Sequence, residues 1–128
     1  MDPAVSRTLA ALHDAHRSGD LVAVAACYVP EAVLRAPFLT EPLRGWKAIE
    51  THLATVVFPH FHGLEVLETR DEGGHITRTW RAFVKDREGL NLAVEGESRY
   101  AFNEAGQITE VSFHLDEANL RLLVLRRG

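Results

Sequence analysis

Along this chain the spacing of apolar positions changes once, near Phe61, from helical to strictly alternating. Upstream, Val5, Leu9, Leu12 and His16 recur at helical spacing behind Asp2-Pro3, an N-cap followed by proline. They predict a helix over 4–18 that Gly19 stops. Asp20 then caps a second helix over 20–28, which Pro30 ends. Trp46, Ile49, Leu53, Val56 and Val57 form one apolar stripe behind Gly45 and predict a third helix over 45–58, closed by Pro59. Between these helices Glu31 to Phe38 reads as a strand carrying Leu34, Ala36 and Phe38 on one side. Pro37 puts it at an edge or a bulge, and Thr40 to Arg44 is a loop.

From Phe61 the period is two. A strand with Leu64, Val66 and Leu67 runs to the turn Asp71-Glu72-Gly73-Gly74, and His75 to Lys85 is the next strand. Glu95 to Asp116 reads as two long strands joined at Asn103-Glu104-Ala105-Gly106, where glycine tolerates the backbone that a tight hairpin needs. Val94, Gly96, Ser98, Tyr100 and Phe102 fall on one face, with Glu95, Glu97, Arg99 and Ala101 on the other. In the second strand Val111, Phe113 and Leu115 alternate with Glu110, Ser112, His114 and Asp116. If the turn at Arg87-Glu88-Gly89 holds three residues, Asp86 faces Leu90, Arg78 faces Ser98, Thr79 faces Glu97, Trp80 faces Gly96 and Arg81 faces Glu95. A short terminal helix with Leu120, Leu122 and Leu123 follows Asp116.

Helices first and long antiparallel strands after them make an α+β fold: a cone-shaped, curved sheet wrapped on three N-terminal helices, all within a single domain over 1–128. Such a shape leaves a mostly apolar pocket between helices and sheet. The face assignments line it with Leu12, His16, Leu34, Ala36, Phe38, Trp80, Ser98, Tyr100, Val111, Phe113 and Leu115. Composition is that of a soluble globular protein, 46% hydrophobic and 25% charged. A net charge of −4 offers no basic footprint for nucleic acid or an acidic membrane. No apolar run approaches the ~20 residues of a membrane span. The lone Cys27 and an N-terminus unlike a secretory signal lead to the expectation of a cytoplasmic protein.

Three stretches, SGDLVAVAACYVPEAVLRAP, EPLRGWKAIETHL and YAFNEAGQITEVSFHLDEANL, together resemble the nuclear-transport-factor-two-like superfamily, within it the SnoaL-like polyketide cyclases and the ketosteroid isomerases. The resemblance implies the cone fold, a small apolar ligand and a homodimer joined through the outer sheet face. It implies no single activity, since this fold hosts isomerases, cyclases, hydrolases, dehydratases and proteins without catalysis. The isomerase chemistry needs an aspartate base, a tyrosine and a protonated aspartic acid. Their positions fall here at Ala36, Leu12 and Ser98, and an alanine takes no proton, so steroid isomerisation by that set is not expected. The cyclases use an aspartate and a histidine late in the sheet, which brings in Asp116 and His114. Asp116 has a second reading as the N-cap of the terminal helix.

Arg78 falls on the apolar face with Ile76, Trp80, Ala82 and Val84. A guanidinium there either clamps a carboxylate or enolate or makes a structural ion pair at the sheet edge. His16 is a pocket base or a satisfied core histidine, and Ser98 and Tyr100 are neutral donors or core filling. His60 and His62, with His52, His75 or His114, have the spacing of a metal pair but no accompanying carboxylate or cysteine, and no metal or other cofactor is expected. Two functions stay open. One is an acid/base enzyme of cyclase, isomerase or hydratase type with His16 or Asp116 as base and Arg78 as anion stabiliser. The other is a non-catalytic ligand-binding or dimerisation domain.

Overall fold

The computed structural model describes residues 1–59, 61–85 and 88–126. Helix α1 spans Pro3–Ser18. The Asp2 carboxylate accepts the Ala4 N–H at 2.7 Å, and Gly19 closes the helix in the left-handed region at φ 71°. Leu9, Leu12 and Ala15 are its buried stripe. Helix α2, Leu21–Ala25, is capped by Asp20 through the Ala23 N–H at 3.1 Å. It stops sooner than the spacing predicts. Val29 precedes Pro30 and is therefore biased to extended backbone, so strand β1 already begins at Tyr28 and runs Tyr28–Arg35.

This shifts the expected first strand toward the N-terminus, and Ala36 and Phe38 lie beyond it. Strand β2, Leu43–Arg44, pairs with β1 where a loop was expected. The third helix is α-helical only over Trp46–His52 (α3) and continues as a π-helical turn, Leu53–Val57. The remaining strands are β3 Phe61–Asp71, β4 Ile76–Lys85, β5 Asn91–Phe102 and β6 Ile108–His114, followed by α4, Glu117–Arg126.

The six strands form one sheet in the order β2-β1-β6-β5-β4-β3. Only β1 and β6 run parallel, and the other pairs are antiparallel. Between β4 and β5 the register sets Arg78 opposite Ser98, Thr79 opposite Glu97, Trp80 opposite Gly96 and Arg81 opposite Glu95, as the alternation predicts. The Asp86–Leu90 pairing falls outside the described residues. Bulges bend the sheet: β3 carries an extra residue at His62 and another at Leu67, and β1 shifts register between Tyr28 and Val33, around Pro30.

The β5–β6 hairpin is the wall on which α1 rests. The Thr8 hydroxyl donates to the Gly106 carbonyl at 2.6 Å. A Cβ at Gly106 would lie 2.8 Å from Ala4, so no larger residue fits this contact. The main core joins Leu9, Leu12, Val24, Leu34, Ile49, Leu53, Tyr100, Ile108 and Val111. A second cluster, Val84 and Val94 with Phe38, Phe61, Trp80 and Leu115, sits farther along the sheet.

Candidate functional site

A cavity of about 210 Å³ lies between these clusters. Leu12, His13, His16 and Arg17 of α1 form one wall, and Leu53, Val57 and Phe58 of the π-helical turn and the residue after it form another. Tyr28 and Leu34 of β1, Leu64 and Val66 of β3, Arg78, Trp80 and Ala82 of β4, Ser98 and Tyr100 of β5 and Phe113 of β6 complete the sheet side, and Leu115 follows β6. Phe38 stacks on His52 at a ring distance of 6.0 Å, and both line the cavity. Arg17 and His62 are exposed and mark the rim. None of the described lining residues is an aspartate or a glutamate.

Arg78 reaches from β4 toward α1, where Nη1 donates to the Leu9 carbonyl at 3.3 Å. Its Nε is buried without a hydrogen-bond partner, and among the described residues no carboxylate pairs with it. His16 stands near it on the α1 wall, with its ring edge-on to Phe58 at 5.7 Å. Burial, then the Arg78 charge and His13, lowers the His16 pKa from 6.5 to about 4. The imidazole is therefore neutral at neutral pH. The Nδ1 of His13 is also buried and unpartnered.

On the sheet side the Trp80 indole donates to the Ser98 hydroxyl at 2.8 Å. Trp80 lies flush on Gly96, where a Cβ would approach the ring to 2.8 Å. With its oxygen already accepting from Trp80, Ser98 has its proton free for Tyr100. Burial raises the Tyr100 pKa and this hydrogen bond opposes the rise. Burial holds the Tyr28 phenol well above its ordinary pKa, and the neighbouring Tyr100 adds to the effect. Both phenols are neutral donors. An apolar box with a neutral imidazole, an uncompensated guanidinium and two phenols can grip a ligand oxygen and exchange a proton with it.

Of the residues expected to line the pocket, Leu12, His16, Leu34, Phe38, Trp80, Ser98, Tyr100, Phe113 and Leu115 border the cavity, and Arg78, read on the same apolar face, joins them. Val111, Ala36 and Asp116 do not, the last having been read on the wet face. Val111 is fully buried in the main core, pairing with Leu34 and Tyr100. Ala36 follows the end of β1, where its carbonyl accepts the Leu39 N–H at 3.1 Å and its methyl packs against the core. Asp116 is exposed and caps α4, its carboxylate accepting from the Asn119 N–H at 2.8 Å and side-chain amide at 2.9 Å. Those hydrogen bonds lower its pKa.

Sequence reasoning passed over Tyr28 and His13 and weighed His52 only as a metal ligand. The helix-breaking proline at 30 was the signal for Tyr28, and the three-residue spacing to His16 was the signal for His13. Among the described residues no group of three His, Cys, Asp or Glu side chains is arranged to hold a metal, and His60 lies outside them. No described helix is long and apolar enough to cross a membrane. Cys27 is buried beside α2, and burial raises its pKa.

The model of the SnoaL-like domain matches residues 9–111 of the chain. Curated protein sequences give no match. Among solved structures, a steroid delta-isomerase from Pseudomonas aeruginosa superposes with TM-score 0.80 at 21% identity, covering 100% of this chain and 91% of that one. TerC, crystallised with polyporic acid, does so with TM-score 0.79 at 15% identity over 95% and 98% of the two chains. RV0760c from Mycobacterium tuberculosis, in complex with estradiol-17beta-hemisuccinate, gives TM-score 0.78 at 14% identity over 92% and 98%. Likeness at these identities speaks to the fold.

Proposed function

The chain belongs to the SnoaL-like domain family, and we propose that its cavity binds one small apolar or polycyclic molecule and moves a proton on it, as an acid/base enzyme of cyclase, isomerase or hydratase type. What carries this reading is the meeting, in one apolar cavity, of a neutral imidazole at His16 and an unpaired guanidinium at Arg78. His16 accepts a proton from the ligand or from water. Arg78, Tyr100 and Tyr28 donate to the oxygen on which negative charge appears. That charge offsets the Arg78 field and strengthens His16 as a base while the proton moves. Asp116, outside the cavity, has no part in the proposed chemistry. The ligands of TerC and RV0760c support a small-molecule role for the fold.

The test is proton exchange at carbon. Cyclic enones and aryl ketones are incubated with the protein in deuterated water and followed by NMR. Exchange at the position next to the carbonyl is expected, with a loss of roughly 100-fold or more in His16→Gln. Compounds that bind without faster exchange would contradict the catalytic half and favour a binding domain. The low basicity of His16, buried beside Arg78, favours that side.

We further propose a cytoplasmic homodimer joined through the outer sheet face, where Arg81 lies 3.6 Å from Glu65 and 3.5 Å from Glu95. Light scattering at micromolar concentration should give twice the 14.3 kDa chain mass, and a monomer would refute the dimer.

A further inference from the structure

We propose that the ligand of this cavity is an anion already in its free state: an apolar ring system bearing one carboxylate, whose oxygens meet the Arg78 guanidinium beside His13. This rests on the reading of the cavity as a ligand site and goes further by naming the ligand's charge.

The partially buried arginines show why. Arg70 has Glu97 at 3.2 Å and Arg81 has Glu95 at 3.5 Å, and even Arg35, nearer to solvent, has Glu110 at 2.7 Å. Arg78 has only one backbone carbonyl, and its Nε is buried with no partner. A guanidinium withdrawn from water and left without an anion is unfavourable unless something else supplies the charge. No described residue of the cavity does so. A neutral ligand would leave Nε unpaired, whereas a carboxylate matches the planar Nε–Nη edge of arginine with two parallel hydrogen bonds. The ligand carboxylate has lone pairs to spare for the second orphaned group, Nδ1 of His13.

The charges around His16 add a measurable consequence. From its own helix it meets His13 and Arg17, and the other ionisable groups lining the cavity are Tyr28, His52, His62, Arg78 and Tyr100. None is a carboxylate. Burial, Arg78 and His13 all disfavour the imidazolium. A bound carboxylate neutralises Arg78 and so raises the affinity of His16 for a proton. Binding is then accompanied by proton uptake, and the complex tightens as the pH falls through the raised His16 pKa of the complex toward about 4, the value in the free chain.

The probes are naphthoate and naphthamide, the same ring system with and without the charge, titrated into the full chain by calorimetry. Naphthoate should bind about 10–100-fold more tightly. Arg78→Met should bring it down to the level of naphthamide, and Arg78→Lys should keep part of the difference. Repeating the naphthoate titration at about pH 5 in two buffers of different ionisation enthalpy should reveal proton uptake. The comparison of naphthoate with naphthamide uses the native chain and decides the matter if the variants do not fold. Equal binding of the two probes, or tighter binding of naphthamide, would overturn the anion proposal while leaving the cavity a ligand site. Binding of neither would overturn both.

Discussion

Arg78 and Arg81 stand three residues apart on β4 and face opposite sides of the sheet. On the outer face Arg81 is flanked by Glu65 and Glu95, one from each neighbouring strand. Nearby Arg70 lies between Glu68 of its own strand, β3, and Glu97 of β5. These charges are solvated and compensated, and exposed pairs of this kind contribute little to stability. On the inner face Arg78 has Thr69 and Ser98 across the neighbouring strands and, among the described residues, no carboxylate. The difference is one of solvation: outside, water and glutamates share the charge, whereas inside, it faces an apolar cavity and suppresses protonation of His16. The uncompensated charge at Arg78 therefore sits on the face that carries the cavity, where the proposed ligand would balance it.

The largest effect that sharpens this contrast is the pH dependence of stability. His16 is held at about 4 in the fold against 6.5 in an open chain. The unfolded state therefore binds a proton that the folded state refuses. This group's contribution is fully present above pH 6.5, erodes as the pH falls toward about 4 and changes no further below that, a loss of roughly 3 kcal/mol. Urea unfolding across this window should show native protein losing more stability than His16→Gln. Parallel pH curves would mean that His16 is not held neutral. In Arg78→Met the His16 resonance, followed by NMR, should titrate at higher pH than in the native chain.

The next effect is steric. In Gly96→Ala the new methyl would sit 2.8 Å from the Trp80 ring and 3.0 Å from the His114 carbonyl. Trp80 must move and release its bond to Ser98, at a cost of about 1–3 kcal/mol. Chemical denaturation would measure the cost, and a shift in tryptophan emission would report the movement. Unchanged stability and emission would remove the ring-over-glycine contact from the account.

Asp116→Ala should do less. Fraying of α4 and a small drop in the thermal midpoint are expected, with ligand affinity and exchange chemistry unaltered, because the carboxylate is engaged by Asn119 outside the cavity. Abolished chemistry with intact folding would instead return Asp116 to the site. Smallest of all is Arg81→Gln on the outer face. It should cost below about 1 kcal/mol, and less in high salt, with no change in naphthoate affinity. If it matched Arg78→Met in its effect on binding, the distinction between the two faces would collapse.

Strands β4, β5 and β6 were legible because their faces alternate and the turns that join them carry glycine at Gly89 and Gly106. Period two fixes the face, and turn length fixes the register, so Arg78, Trp80 and Ser98 fell on the inner side without reference to any coordinates. Strand β1 was harder to read. Tyr28 and Val29 are both buried, Pro30 interrupts the ladder, and the strand pairs in parallel with β6, some eighty residues away in the chain. No local pattern encodes that partner, so Tyr28 was assigned to a helix and its phenol was missed. Val111 and Ala36 had the right parity, but parity does not say how much of a face the helices cover. Asp116 was legible both as a late-sheet acid and as the N-cap of the terminal helix, and the structure has it as the cap.

The account's central claim is that the inner-face charge at Arg78 awaits a ligand. A crystal structure of the naphthoate complex tests it most directly. The rings are predicted to lie among Leu12, Phe58 and Trp80, with the carboxylate within hydrogen-bonding distance of Arg78. A carboxylate turned to solvent, or a probe bound away from the cavity with Arg78 still unpaired, would contradict it.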